Sequence, residues 1–179
     1  MKLSRSLAIA LFFTLSNGAG GSAQTQGDFT LARGRVGALR IGMTADEVVA
    51  SFGRQRVKRV DVYLEDPTPT PALEIRFGSP SALQPSLTAE LSDEKVYRVR
   101  VFDRRFKTAD SLGIGSTLAQ IRARHGVKIG VGEGSVWAIS DELQLSFDFS
   151  QFYPSVNVPP SGRAQSVLVF LTPTSVVPR

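Results

Sequence analysis

The chain contains no cysteine and only one histidine among its 179 residues. Without cysteine there is no disulfide, no thiol nucleophile and no residue that could carry the lipid of a bacterial lipoprotein. A metal site would need more nitrogen or sulfur ligands, or carboxylates at ligand spacing, and the sequence has neither. Because the glycine-lysine phosphate loop and the hydrolase serine motif are also missing, we predict no catalytic residue, no metal and no cofactor.

Long apolar runs are also missing, but a short one near the N-terminus has the features of an export signal. Lys2 and Arg5 precede the apolar segment 7–15, which is too short to span a bilayer. The small residues at 21–23, ending at Ala23, are typical of a signal-peptidase cleavage site. We predict a cleavable signal peptide over residues 1–23 with cleavage after Ala23. The expected location is periplasmic or secreted, with no stable membrane anchor after cleavage.

Residues 24–179, which remain after cleavage of that segment, have no large excess of positive or negative charge. Residues 24–179 carry 19 of the 21 bases and all 16 acids. Arginine and lysine cluster at 54–59 and 98–107, but a nucleic-acid-binding protein would need a higher net charge and a cytoplasmic location. We interpret the two basic stretches as solvated surface and predict no nucleic-acid partner.

The sequence does contain one fifteen-residue pattern that occurs twice, at 39–53 and 112–126. In both copies an Ile-Gly pair precedes a threonine, Thr44 or Thr117, and a Glu or Gln follows the threonine by three positions. A threonine and a Glu or Gln at this spacing form a capping box, in which each side chain accepts a hydrogen bond from the other residue's backbone N–H. The pattern therefore predicts two helix starts.

Both helices are predicted to be short and amphipathic. The first covers about 45–52, and each helix ends at a glycine, Gly53 or Gly126, in the left-handed conformation. Isolated helices below about 12–15 residues are marginal in water, so each must pack on another element. Short segments with the alternation of β-strands follow each copy and supply that element.

These segments predict an α+β fold of two tandem units, each a short helix packed on an antiparallel sheet, with the two units sharing one extended sheet. The first unit covers 37–105 and the second 106–179, while residues 24–36 form a flexible lead-in with at most one short strand. The glycine-rich segment 128–135 is predicted to be a loop. The predicted strands are 57–64, 73–77, 87–91, 96–102, 136–140, 143–147 and 166–171.

The sequence Ile41-Gly-Met-Thr44, followed by Val48 and Gly53, resembles the repeat of the beta-lactamase-inhibitory protein. It is also similar to the single unit of the SmpA/OmlA family of small outer-membrane lipoproteins, which supports β-barrel assembly. The resemblance covers about 37–101 and 110–171. This chain lacks the disulfides of the inhibitory proteins and the lipidated cysteine of the lipoproteins, so no functional residue is transferred. The resemblance implies an antiparallel sheet covered by helices on one side, with its other face free to bind a protein.

One difference between the two copies indicates a contact surface. The first copy has Arg98 and Arg100 where the second, 70 positions on, has Leu168 and Phe170. If both copies turn the same face to their helix, these four residues lie on the outer face, where apolar side chains beside arginine suit protein contact. The alternative, equally favoured by the sequence, is that Leu168 and Phe170 pack against the loop 150–163.

Trp137 belongs either to this surface or to the core, since the facing of its strand is not fixed by the sequence. We predict the partner-binding residues to be Arg98, Arg100, Trp137, Leu168 and Phe170. The leading hypothesis is an exported, non-enzymatic protein-binding or inhibitor-like module that contacts another envelope or secreted protein. Two alternatives stay open: an envelope-associated hydrolase using His125, and a structural envelope component.

His125 stands at the end of the second predicted helix. A cation in this position interacts favourably with the helix C-terminus, which is a commoner role than that of a catalytic base. A pocket that joins His125 to a serine and a carboxylate would favour the hydrolase. An open sheet face that exposes Arg100, Leu168 and Phe170 would favour the binding module.

Overall fold

The computed structural model describes residues 28–63, 68–78, 83–132 and 134–171. The predicted signal peptide lies outside the described residues. The elements in chain order are β1 (Leu31–Ala32), β2 (Arg35–Val36), β3 (Leu39–Arg40), α1 (Ala45–Phe52), β4 (Val57–Val62), β5 (Thr70–Ile75), β6 (Leu87–Ser92), β7 (Lys95–Val101), α2 (Leu118–Arg122), β8 (Lys128–Gly132), β9 (Ser135–Ser140), β10 (Leu145–Asp148), a 3-10 turn (Ser150–Phe152) and β11 (Val167–Phe170).

Two antiparallel sheets account for the strands. A small sheet has the order β1-β2-β3, and a large sheet of eight strands has the order β4-β5-β6-β7-β11-β10-β9-β8. The described chain is therefore mostly sheet with two short helices, which confirms the α+β prediction at the level of fold class.

Both predicted helix starts are confirmed. The Thr44 side chain accepts from the backbone N–H of Glu47, whose carboxylate accepts from the Thr44 N–H at 2.8 Å; Thr117 and Gln120 make the same pair. The predicted helix ends are less accurate. Gly53 has a positive φ of 85° but an extended ψ, and the second helix ends at Ala123 in ordinary helical geometry, before the glycine at 126.

The core lies between one face of the large sheet, the two helices and the small sheet. The helices contribute Val48, Leu118 and Ile121, each with no exposed surface, and the small sheet contributes Leu31, Val36 and Leu39. Alternate residues of the large sheet complete this cluster: Leu73, Ile75, Leu87, Ala89, Val99, Val101, Val136, Ala138, Leu145, Phe147, Val167 and Val169. We call the opposite side of this sheet the outer face.

The segment leading into each helix is hydrogen-bonded to the chain near one of the two central strands. Gly42 donates to the carbonyl of Val96 at 2.7 Å, and Val96 donates back to the carbonyl of Met43 at 2.8 Å. In the second copy Gly115 donates to Ala164, and Ala164 donates back to Ser116. Both Gly42 and Gly115 have φ near 90°, a conformation that side-chain-bearing residues rarely adopt.

Three segments differ from the sequence-based expectation. Residues 128–132, predicted to be part of a loop, form edge strand β8, whose glycines leave no alternation of side chains to recognise. The predicted lead-in contains β1 and β2 with buried side chains at Leu31 and Val36. Pro71, which lies outside the predicted strands 57–64 and 73–77, belongs to β5. It is tolerated there because the β5–β6 pairing begins only at residue 72.

Candidate functional site

The structure places all five sequence-predicted contact residues on the outer face. In neighbouring antiparallel strands, paired residues project to the same side of the sheet. Arg100 pairs with Leu168, and Arg98 pairs with Phe170, across the β7–β11 ladder. Trp137 lies between the core residues Val136 and Ala138 of β9, so it also projects to the outer face.

Arg100 and Trp137 meet above the strands that separate them. The guanidinium carbon of Arg100 lies 5.5 Å from the centre of the Trp137 ring, a cation–π contact. Their strands are three positions apart in the sheet, about 14 Å at the usual strand spacing, so both side chains must extend across β11 and β10. Leu168 and Ser146 stand on these two intervening strands and are only 9% and 5% exposed.

The burial of Leu168 and Phe170 bears on the two alternatives for these residues. Leu168 is buried although it lies outside the main core cluster, and Phe170 is partly exposed. The predicted cover, the loop 150–163, is hydrogen-bonded elsewhere: the amides of Leu118 and Ala119 donate to carbonyls of that loop. Of the two alternatives, exposure is therefore wrong for Leu168, which is 9% exposed, whereas Phe170 keeps part of its surface exposed.

A buried acid that the sequence did not single out lies next to this surface. Glu90 is 1% exposed and pairs with Arg98 across the β6–β7 ladder. Its carboxylate accepts from Nε of Arg98 at 2.6 Å and from the Tyr97 hydroxyl at 2.9 Å. Burial, reinforced by the hydrogen bond to Glu90, raises the pKa of Tyr97. Arg98 is thus committed to an internal ion pair.

Tyr97 reaches Glu90 because the β6–β7 register shifts next to it. Glu90 pairs with Arg98 while Leu91 pairs with Val96, which leaves Tyr97 as the extra residue of a β-bulge. An unbroken alternation with Val99 and Val101 would put Tyr97 on the core side, but Tyr97 is 37% exposed. The alternation of side chains ends at the bulge, and no sequence signal marks its position.

His125 lies between two carboxylates. Its Nε2 is 2.8 Å from Oδ2 of Asp110, its Nδ1 is 3.2 Å from Oε2 of Glu142, and its side chain is 13% exposed. Burial opposes the charged ring, but the hydrogen bonds to Glu142 and Asp110 outweigh it and raise the pKa of His125. Neither ring nitrogen contacts a serine, so this geometry is that of a charged bridge between α2 and two loops.

The raised pKa of His125 predicts a pH-dependent stability. A group whose pKa is higher in the folded state contributes stability that is complete below its unfolded pKa, about 6.5, and is lost as the pH rises through the folded pKa. We expect His125→Gln to destabilise the protein more near pH 6 than near pH 9, measured by urea unfolding. Parallel pH profiles of the free energy of unfolding for the two proteins would contradict this bridge.

The described part of the chain has neither a metal-binding cluster nor a membrane-spanning helix. It contains no group of three or more acidic or histidine side chains placed to hold a metal ion. Its helices are also too short to cross a membrane.

Comparisons with known proteins extend the description of the fold only. No protein-family model matches the chain, and no curated protein matches its sequence. The structure is similar to the crystal structure of the uncharacterized protein yfeY from Escherichia coli, with a TM-score of 0.54. The similarity covers 79% of this chain and 97% of that protein at 12% sequence identity, so it shows a shared fold alone.

Proposed function

We propose that the protein consists of two tandem units joined edge to edge in one sheet. The strand order supports this interpretation, since β4 to β7 and β8 to β11 form two four-stranded meanders, each of which runs from an outer edge of the sheet to its centre. Each meander follows one helix, and the helix-leading segments make matching hydrogen bonds. Val99 pairs with Val169, its counterpart at the sequence offset of 70, and this pairing supports an approximate two-fold relation between the units.

From this arrangement we propose an exported, non-enzymatic protein-binding or inhibitor-like module. The observation that carries the proposal is the assembly of Arg100, Trp137 and Phe170 on a sheet face that no described helix covers. Aromatic residues and arginine are the side chains enriched in protein interfaces. The resemblance to inhibitory and barrel-assembly proteins, and the predicted signal peptide, agree with a partner in the envelope or outside the cell.

The charge of the surface favours an acidic partner. Arg98 is neutralised by Glu90, but Arg100 has no carboxylate within salt-bridge distance among the residues that the structure describes. Its guanidinium is held over Trp137 and keeps its hydrogen-bond donors available for a carboxylate. A partner with an aspartate or glutamate beside an apolar patch would match Arg100 and Phe170 in charge and polarity.

The hydrolase alternative has less support. A histidine base must have one ring nitrogen within hydrogen-bond reach of the nucleophile, and both nitrogens of His125 lie beside carboxylates. The alternative of a structural envelope component predicts the same export but no discrete contact surface.

We expect the substitutions Arg100→Glu and Phe170→Ser to abolish capture of a partner from an envelope extract. Both side chains are partly exposed, so neither change removes a core contact, and a reversed charge should repel an acidic partner by a few kcal/mol. Capture on the immobilised protein followed by mass spectrometry measures the result. Leu168 is avoided because a charge at a buried position could unfold the strand.

A matched control is Val131→Ser, which removes an apolar side chain of 43% exposure from edge strand β8. This variant should recover the partner as well as the unmodified protein does. Equal recovery by the Arg100→Glu, Phe170→Ser and control variants would place the contact surface elsewhere. Recovery of no partner by any of the proteins, the unmodified one included, would favour a structural role.

A further inference from the structure

A second surface feature lies on the helix side of the molecule, away from the outer face. It is a cleft of about 300 Å³, which is at the lower end of the size range of small-molecule sites. Its wall is made by the segment 107–116, by α2 and by Arg163. The polar residues that line it are Lys107, Asp110, Ser111, Ser116, Gln120, Arg124 and Arg163.

Three bases face one acid in this lining. Lys107 and Arg163 have no carboxylate within salt-bridge distance in the described part of the chain, and Arg124 has only a long contact of 3.9 Å to Asp110. Burial opposes the charge of Asp110, but its hydrogen bonds with the Thr108 hydroxyl and with His125 outweigh burial and lower its pKa. The cleft therefore carries an excess of two positive charges without a protein partner to balance them.

Backbone carbonyls hold two of the cations in place. Nζ of Lys107 donates to the carbonyl of Ile114 at 2.7 Å, and Nη1 of Arg163 donates to the carbonyl of Gly115 at 2.8 Å. Because these carbonyls belong to consecutive residues, both charged groups are tied to one peptide segment. Each still has unused donors: a lysine ammonium has three, and an arginine guanidinium has five.

Gly113 allows this approach of Lys107. A Cβ at position 113 would lie 2.5 Å from the carbonyl oxygen of Phe106 and 2.9 Å from Cδ of Lys107. The lysine stem therefore crosses a place that a side chain would occupy. Burial and the neighbouring Arg104 lower the pKa of Lys107, so a bound anion would relieve an existing cost.

We propose that this cleft binds a small dianion, a phosphate group or a dicarboxylate, through Lys107, Arg124 and Arg163. The two uncompensated charges match a dianion, and arginine forks suit the paired oxygens of phosphate and carboxylate. Gln120 and Ser116 add neutral polar groups at the same wall. The proposal is independent of the outer face, since the two surfaces lie on opposite sides of the large sheet.

The test is an NMR titration of the amide signals of Gly113, Gly115 and Ser116. The probes are inorganic phosphate near pH 8, where it is largely dianionic, succinate, and acetate as a singly charged control, all at constant ionic strength. We expect saturable shifts with at least one dianion and about tenfold weaker binding of acetate. Stronger binding of phosphate than of succinate would identify a phosphate site, and the reverse order a dicarboxylate site.

Variants separate this site from general charge attraction. Arg124→Gln with Arg163→Gln should weaken dianion binding by about tenfold or more, while Arg33→Gln with Arg122→Gln, an equal change at exposed arginines outside the cleft, should leave it unchanged. Asp110→Asn removes the one acid and should strengthen binding, a gain that a damaged fold would not produce. No saturable shift with either dianion, or equal loss in both double variants, would overturn the proposal.

Discussion

Replacement of Arg98 by alanine is expected to lower the free energy of unfolding by about 3 kcal/mol. Removing one partner of a buried ion pair strands the other charge, at a typical cost of about 3–5 kcal/mol. Glu90 is 1% exposed and would keep only the Tyr97 hydroxyl. The Arg98 side chain is 28% exposed, so some water can replace it, and the lower end of the range applies. Urea unfolding followed by circular dichroism gives the value.

Two further variants test whether the loss comes from the stranded acid. Glu90→Leu combined with Arg98→Leu removes both charges and should recover most of the stability, because an ion pair replaced by apolar residues is often neutral or stabilising. Arg98→Lys keeps the charge but not the guanidinium geometry, so its free energy of unfolding should lie between those of Arg98→Ala and the unmodified protein. A change within about 0.5 kcal/mol of the unmodified protein for Arg98→Ala would contradict a structural role for the pair.

This result would change how the outer face is interpreted. Arg98, if it stabilises Glu90, is poorly suited to a test of partner contact. Its replacement would weaken binding by destabilising the fold, whether or not Arg98 touches the partner. Of the five predicted residues, Leu168 is buried and Arg98 is engaged internally. Direct contact with the proposed partner would then be left to Arg100, Trp137 and Phe170.

The features that could be predicted from the sequence are local in the chain. The capping boxes at Thr44 and Thr117 depend on residues three positions apart, and the strands of the core show a period of two. Strand β8 was missed because two of its five residues are glycine, which has no side chain to alternate. The bulge at Tyr97 was missed because a register shift leaves no mark in composition.

The contacts of the candidate site depend on distant pairings. Arg100 meets Trp137 because only two strands, β11 and β10, separate β7 from β9 in the sheet. This strand order follows from the return of the chain to the centre of the sheet. His125 meets Asp110 and Glu142, which are 15 and 17 positions away, through the packing of α2 against two loops. Spacing along the chain cannot indicate such partners, so the sequence left His125 with several roles.

A cavity in the first half of the sheet is expected to destabilise the second half equally. Ile75 of β5 has no exposed surface, and its replacement by alanine should lower the free energy of unfolding by about 2–5 kcal/mol. Trp137, the one tryptophan of the chain, reports on β9, five strand positions or about 24 Å from β5. If the eight strands unfold as one body, Trp137 fluorescence and circular dichroism should give the same lowered urea midpoint.

The ladder between β7 and β11 is the reason to expect this coupling. It joins the halves through four residue pairs, and one of its two middle pairs, Val99 with Val169, is 1% and 0% exposed in a core that both helices share. Val131→Ala at the exposed edge serves as the control and should shift neither signal by more than about 0.5 kcal/mol. If Ile75→Ala instead gave an early phase by circular dichroism while Trp137 kept its original midpoint, the halves would be independently stable, and the continuous outer face could not act as one rigid binding surface.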